Sequence, residues 1–259
     1  LKGFATLQML AKPTGIAVLP TGIAVLCALH LTPIDHFLAD NDFSNRPYWA
    51  NPGEENLMRI ALLAFDGFDE LELFILCGLL NRLGTHGWKA EITSQASQIT
   101  SMSGVTVHAA RPLEFANEAD AVVFGSNTYA RAMAENSALV DRFQLDPLRQ
   151  LIAAQGSGSL MLGRLGLLAE MPVCADAHTK PWLNEAGVRV VKEPFHARGS
   201  VATASGGLAA PYLAAWLMMR SAGKEATQQA LQEAAPEGQK EPYVQQIMRT
   251  VRVFMPPQD

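Results

Sequence analysis

From Met58 onward the chain alternates short apolar runs with amphipathic segments, and Gly/Ser turns follow several of the apolar runs. MRIALLAF (58–65) opens the pattern, and DELELFILCGLLNRL (69–83) follows with apolar residues at helical spacing. Acidic residues at the start of that segment suit the positive end of a helix dipole. WKAEITS (88–94), DAVVFGS (120–126), LIAAQ (151–155), VRVVKE (188–193) and SVATAS (200–205) read as further strands. GVTVHAA (104–110) alternates with period two and is expected as an antiparallel excursion or an edge strand. Helices are expected in parts of 136–150, over 157–168, over 207–223, and in two patches of 224–253 either side of Pro236-Glu237-Gly238. Strand and helix in alternation predict an α/β domain built on a mainly parallel sheet.

The segment before Met58 has another texture. PTGIAVL occurs at 13–19 and again at 20–26, a tandem copy too short for a solenoid. The apolar stretch 15–31 is broken by Pro20, Thr21 and Gly22 and falls short of the roughly 20 residues that cross a bilayer. Residues 1–57 are therefore set apart as a leader or an over-extended reading frame. An exported precursor and an extension packed on the domain are the alternatives. The domain is expected over 58–222, with a C-terminal helical extension over 223–259.

Composition narrows the partners. Hydrophobic residues make up 49% of the chain and charged residues 17%, which excludes intrinsic disorder. A net charge of −5 argues against a nucleic-acid track or an anionic membrane surface. Cys27, Cys77 and Cys174 are widely spaced and read as ordinary thiols of a reducing compartment, the cytoplasm. His86, His108 and His196 have no metal-ligand spacing, so no metal is expected, and no cofactor. No basic helix-turn-helix pair fits after residue 222.

Three turns carry the chemistry: FDGFDELE (65–72), FGSN (124–127) and AQGSGS (154–159). Each follows a strand of the expected parallel sheet, so all three should meet at one sheet edge, where open α/β sheets bind ligands. The third supplies backbone N–H groups where a strand passes into a helix, and Gly125 and Ser126 bring a second donor near. Glu72, facing this crevice, would be a desolvated carboxylate with a pKa moved toward the catalytic range.

Taken together with TASGGLA (203–209), and with the third turn extended to GSGSLMLGRLGLL (156–168), these turns resemble the ThiJ/PfpI superfamily over 58–222. That glutamine amidotransferase-like group includes a parkinsonism-linked deglycase, PfpI-type intracellular proteases and isonitrile hydratases. The resemblance implies a flavodoxin-like, doubly wound sheet with helices on both faces, a homodimer, and a nucleophile elbow reading Cys-x-Gly. Counting back from Gly166-Leu167-Leu168 puts the family's cysteine at position 156, where this chain has Gly156. The resemblance assigns the carboxylate to Glu72 and the third catalytic position to Asp176, with His178 close by. It assigns binding to Gly125, Ser126, Asn127, Ser157 and His178, chiefly through the main-chain N–H groups near Ser126 and Ser157.

A thiolate there would attack a small electrophile such as an amide, aldehyde or isonitrile carbon. Glycine cannot, so hydrolase or hydratase chemistry of the cysteine class is expected to be absent or impaired. Ser157 and Ser159 do not fit G-x-S-x-G, because Gln155 and Met161 stand where glycine is needed. Two other readings stay open. One is a binding or sensing module that keeps the pocket without turnover. The other is nucleotide binding, since Gly156-Ser157-Gly158 follows a strand and Asp176 lies 20 residues on.

Overall fold

The computed structural model describes residues 57–168 and 171–256, so the leader read into 1–57 lies outside the described residues except for Leu57. Among the described residues the strands are β1 (Met58–Leu63), β2 (Trp88–Ser94), β3 (Gln98–Thr100), β4 (Thr106–His108), β5 (Arg111–Pro112) and β6 (Ala121–Phe124). β7 (Leu151–Gln155), β8 (Val173–Cys174), β9 (Val190–Val191), β10 (Phe195–Arg198) and β11 (Val201–Ala204) follow. The α-helices are α1 (Glu70–Leu80), α2 (Ala130–Glu135), α3 (Ser137–Val140) and α4 (Ser159–Arg164), then α5 (Lys180–Glu185), α6 (Ala210–Ser221), α7 (Gly223–Ala234) and α8 (Lys240–Arg252).

The main sheet runs β10-β11-β7-β6-β1-β2-β5. Every pairing in it is parallel except β10 with β11. Its centre is buried on both faces, which is why β1 after Arg59 reads as a continuous apolar run instead of an alternating one. Ile60 and Leu62 enter the core under α1, α6, α7 and α8, while Ala61 and Leu63 enter the opposite core with α3, α4 and α5. Helices cover both faces, so the chain has the flavodoxin-like, doubly wound fold.

The strand order fixes where a site can form. From β1 the chain steps outward to β2 and then returns to β6 on β1's other side. Loops leaving β1 and β6 therefore part in opposite directions, and a crevice opens between them at the strands' C-terminal ends. Phe124 pairs with Leu63 and with Ala154, so β1, β6 and β7 end almost level. Residues 65–69, 125–129 and 156–158 thus start from one edge.

Several elements differ from the sequence reading. Residues 188–193 do not join the main sheet; only Val190 and Val191 pair, with Val173 and Cys174, in a separate two-stranded sheet. The antiparallel edge goes instead to β10, whose Phe195 and Ala197 are buried while Arg198 is exposed. Residues 104–110 do form an antiparallel excursion, with β4 pairing β3 outside the main sheet. The segment 157–168 shortens to one 3-10 turn (Gly156–Gly158) and α4, because Gly166 takes a positive φ of 72° and ends the run. Of 136–150 only α3 is helical, capped by the Asn136 side chain accepting from the Leu139 N–H at 3.2 Å.

Beyond the domain, α7 and α8 lie either side of Pro236-Glu237-Gly238. They bury Leu231, Val244, Ile247 and Val251 in the same core as α6. α6 is therefore enclosed by sheet and helices, and the tail is structural. Leu231→Ala should cost about 2–5 kcal/mol, the usual range for a buried leucine truncation. Urea unfolding should show a lowered midpoint in one transition; a separate early transition would mean the tail folds independently.

Candidate active site

α1 begins where the Asp69 side chain accepts hydrogen bonds from the Leu71 N–H (2.9 Å) and the Glu72 N–H (3.3 Å). Such a cap is worth about 1 kcal/mol, and here it also sets direction. It places Glu72 in the first turn, on the face turned toward β6 and β7, where the residue is only 4% exposed. The Ser126 N–H donates to Glu72 Oε2 at 3.3 Å, and the Asp69 N–H donates to the Ser126 carbonyl at 3.1 Å. The first and second turns are thereby stitched together.

Asn127 completes the stitching. Its side-chain amide donates to the Asp66 carbonyl (2.6 Å) and the Phe65 carbonyl (3.3 Å). Its main-chain N–H donates to Ser157 Oγ at 2.9 Å, and the Ser157 hydroxyl donates back to the Asn127 carbonyl at 3.2 Å. One residue thus joins all three turns. Its polar atoms hold the scaffold, as does the hydroxyl of Ser157.

Gly156 lies where β7 passes straight into the 3-10 turn, with φ +48°. L side chains adopt that left-handed conformation only at a cost of about 1–3 kcal/mol. A Cβ added at Gly156 would stand 3.5 Å from Asp176 Oδ2 and 3.7 Å from Glu72 Oε1, and would collide with Ser126 Oγ. The structure therefore brings Gly156, Glu72, Asp176 and Ser126 around one point. Gly158 has a different role: an added Cβ would run into the Phe124 carbonyl, so glycine there permits close backbone approach.

Asp176 precedes α5. Its Oδ1 accepts from the His178 and Thr179 N–H groups, both at 2.8 Å, and its Oδ2 accepts from the Thr179 hydroxyl at 2.7 Å. This fixes the carboxylate at the elbow. His178 is exposed, and of the two neighbours it is Asp176 that approaches position 156. Ala175 and Ala177, the chain neighbours of Asp176, line a cavity of about 460 Å³ with Lys180, Val190, Lys192 and Glu193. Gly125 is partly buried and packs under the Leu63 carbonyl, to which its N–H donates at 3.1 Å.

Electrostatics single out one group. Burial pushes the Glu72 carboxyl up from its usual 4.5 to about 7, Asp69 adds to the rise, and hydrogen bonds from Ser126 and Gln155 oppose it. A carboxyl that changes charge near neutrality suits proton transfer. Cys174 has the opposite character: burial raises its thiol to about 12, which makes it a core residue.

Sequence reasoning missed two groups. Gln155 is fully buried, and its Nε2 donates to the Gly206 carbonyl at 2.9 Å while its Oε1 has no partner among the described residues. Its signal was visible, as the one polar residue ending the apolar run LIAAQ. The Ser126 side chain is the other. Its hydroxyl crosses to the Gln155 carbonyl (3.1 Å), a contact between turns that no local pattern encodes. Among the described residues no cluster of three metal-ligating side chains occurs, and no helix is long and apolar enough to cross a membrane.

An abrupt strand-to-helix turn in left-handed backbone, faced by a buried carboxyl, marks the site of this α/β domain. A model of the DJ-1/PfpI family matches residues 58–220, and the chain belongs to that family. Among solved structures, Schizosaccharomyces pombe DJ-1 is 15% identical with a TM-score of 0.60, covering 69% of this chain and 100% of that one. Drosophila melanogaster DJ-1beta is 22% identical with a TM-score of 0.59, covering 69% and 97%. An AraC family transcriptional regulator from Pseudomonas putida is 16% identical with a TM-score of 0.59, covering 69% and 100%. A search of the curated proteins returned no match.

The Glu72 shift has a thermodynamic consequence. Between pH 4.5 and 7 the folded state holds this proton more tightly than the unfolded chain, so the contribution of Glu72 to stability falls as pH rises through that window. Relative to the parent, Glu72→Gln should gain about 3 kcal/mol of unfolding free energy between pH 4 and pH 8, and urea titrations at the two pH values measure it. An unchanged difference would place the carboxyl in solvent.

Proposed function

We propose that this domain keeps the pocket of the cysteine-dependent hydrolases and hydratases of its family but lacks their thiol chemistry, because Gly156 occupies the nucleophile position. The observation that carries this reading is the point where a side chain at 156 would begin, between Glu72 Oε1 at 3.7 Å and Asp176 Oδ2 at 3.5 Å. The inherited ligand class is a small electrophile, as in isonitrile hydratase-like or amidase-like chemistry, bound here without turnover by sulfur. Nucleotide binding has less support, since Gly158 is packed on Phe124 and the Asp176 carboxylate is held by Thr179 and the His178 N–H. Cys77 and Cys174 are free thiols, in keeping with the cytoplasm.

Restoring sulfur tests the reading. Gly156→Cys alone sets a Cβ against Ser126 Oγ, so the paired variant Gly156→Cys with Ser126→Gly is the informative one. Its new thiol should react with iodoacetamide at pH 7 at least tenfold faster than Cys77, whose own thiol burial pushes upward. A thiol at 156 no faster than Cys77 would sink the assignment of this position.

A homodimer is the assembly we propose. Leu71, Phe74, Met102, Val105 and Leu208 are exposed. They adjoin one another around the start of α1: Leu71 lies over Gly207, the Phe74 ring meets Phe68 at 6.4 Å, and the Met102 N–H donates to the Phe68 carbonyl. Several large apolar side chains exposed near one helix start suit an association surface. Light scattering should give a dimer mass for the parent and a monomer mass for Phe74→Glu; a monomeric parent would refute the proposal.

A further inference from the structure

We propose that Ser126 has taken over the nucleophile's place, forming with Glu72 a serine–carboxylate pair that transfers acyl groups from small uncharged esters. This deepens the reading of Gly156 given above and rests on it. The Ser126 hydroxyl occupies the space that a side chain at 156 would need, so an oxygen stands where the elbow presents its first side-chain atom. That oxygen comes from the neighbouring turn and is possible only because residue 156 has no Cβ.

Three features fit the hydroxyl for attack. Ser126 is partly exposed, as is Asp176, while Glu72, Gln155, Gly156 and Ser157 are buried. Its proton is donated to the Gln155 carbonyl at 3.1 Å, and the Glu72 carboxylate stands on the same side, accepting from the Ser126 N–H at 3.3 Å and reaching the point beside the hydroxyl where a Cβ at 156 would lie. During attack Glu72 accepts the hydroxyl proton in the pH range where its own charge changes, near 7.

The step balances without a co-reactant. Ser126 Oγ forms a bond to the ester carbonyl carbon, its proton passes to Glu72, and the tetrahedral adduct expels the alkoxide, which takes that proton back. Water repeats the sequence on the acyl-serine, with Glu72 again receiving the proton and returning it to Ser126. The carboxyl groups of Glu72 and Asp176 beside the reacting oxygen disfavour anionic substrates, which selects neutral esters.

The full chain is treated with diisopropyl fluorophosphate, in which Ser126 Oγ displaces fluoride from phosphorus, and adducts are located by peptide mass mapping. p-Nitrophenyl acetate hydrolysis is followed in parallel. The expected result is one adduct, on Ser126, and an acetate rate that rises about tenfold from pH 6 to pH 8 and then levels off. The other carboxyls facing Glu72 are Asp69, from the turn before α1, and Asp176, from the loop before α5. Asp69→Asn should move the inflection to lower pH. Ser126→Ala should lose the adduct and at least ten-elevenths of the rate, and Glu72→Gln should slow labelling at least tenfold. Ser126→Cys, with folding checked by circular dichroism, should alkylate with an inflection near the same pH. No adduct, an adduct on another serine, or a rate proportional to hydroxide through pH 8 overturns the inference. A fast thiol in Gly156→Cys with Ser126→Gly, beside an unreactive Ser126, leaves the elbow reading standing and removes only the serine pair.

Discussion

The hydrogen bonds of one residue, Asn127, hold the site in place. Its side-chain amide reaches back to the turn after β1, and its main-chain N–H reaches forward to Ser157 in the turn after β7. Parallel strands bring three loops to one edge but leave their separation free. The Asn127 bonds remove that freedom, because each joins buried or half-buried partners whose loss would strand a polar group away from water. The position of Glu72 relative to Gly156 follows from this, since Glu72 rides on a helix whose first turn is tied through Asp69 to the same loop.

Against that rigid frame, Glu72 is the costly element. A buried carboxyl stabilised by one long main-chain bond at 3.3 Å and partial side-chain help does not repay its desolvation above neutral pH. Structural demand does not account for it, because an apolar side chain of similar volume would pack without the penalty. Uncompensated burial of an ionisable group in a crevice at a topological switch point is a mark of a functional site. The Oε1 of Gln155, one residue before Gly156 and without a partner among the described residues, is a second such cost.

The central strands were legible in the sequence because both faces of the sheet are covered, so 60–63, 121–124 and 151–154 read as unbroken apolar runs. α1 was legible from periodicity and its acidic start, and Glu72 from its place in that start. β10 was not, since an edge strand of four residues carrying His196 and Arg198 has no strong pattern until β11 pairs with it. The two-residue strands β8 and β9 depend on each other in the same way, which is why 188–193 reads in sequence only as one further strand. For the site, residue types and order indicated which turns meet, whereas the hydroxyl at the elbow is a tertiary contact between residues 30 positions apart in chain order.

That contact changes the meaning of the glycine. A side chain at 156 would carry both left-handed backbone strain and a clash with Ser126, while glycine at 156 removes both. Ser126 without the glycine has no room, and the glycine without Ser126 leaves a polar hollow between two carboxyl groups. The two residues therefore stabilise each other's presence, and neither can be exchanged alone without cost. A hydrogen-bonded hydroxyl fills the space beside Gly156, supported by the Gln155 carbonyl and near a carboxyl that burial pushes up to about 7. The pocket is thus organised around oxygen where its family resemblance places sulfur.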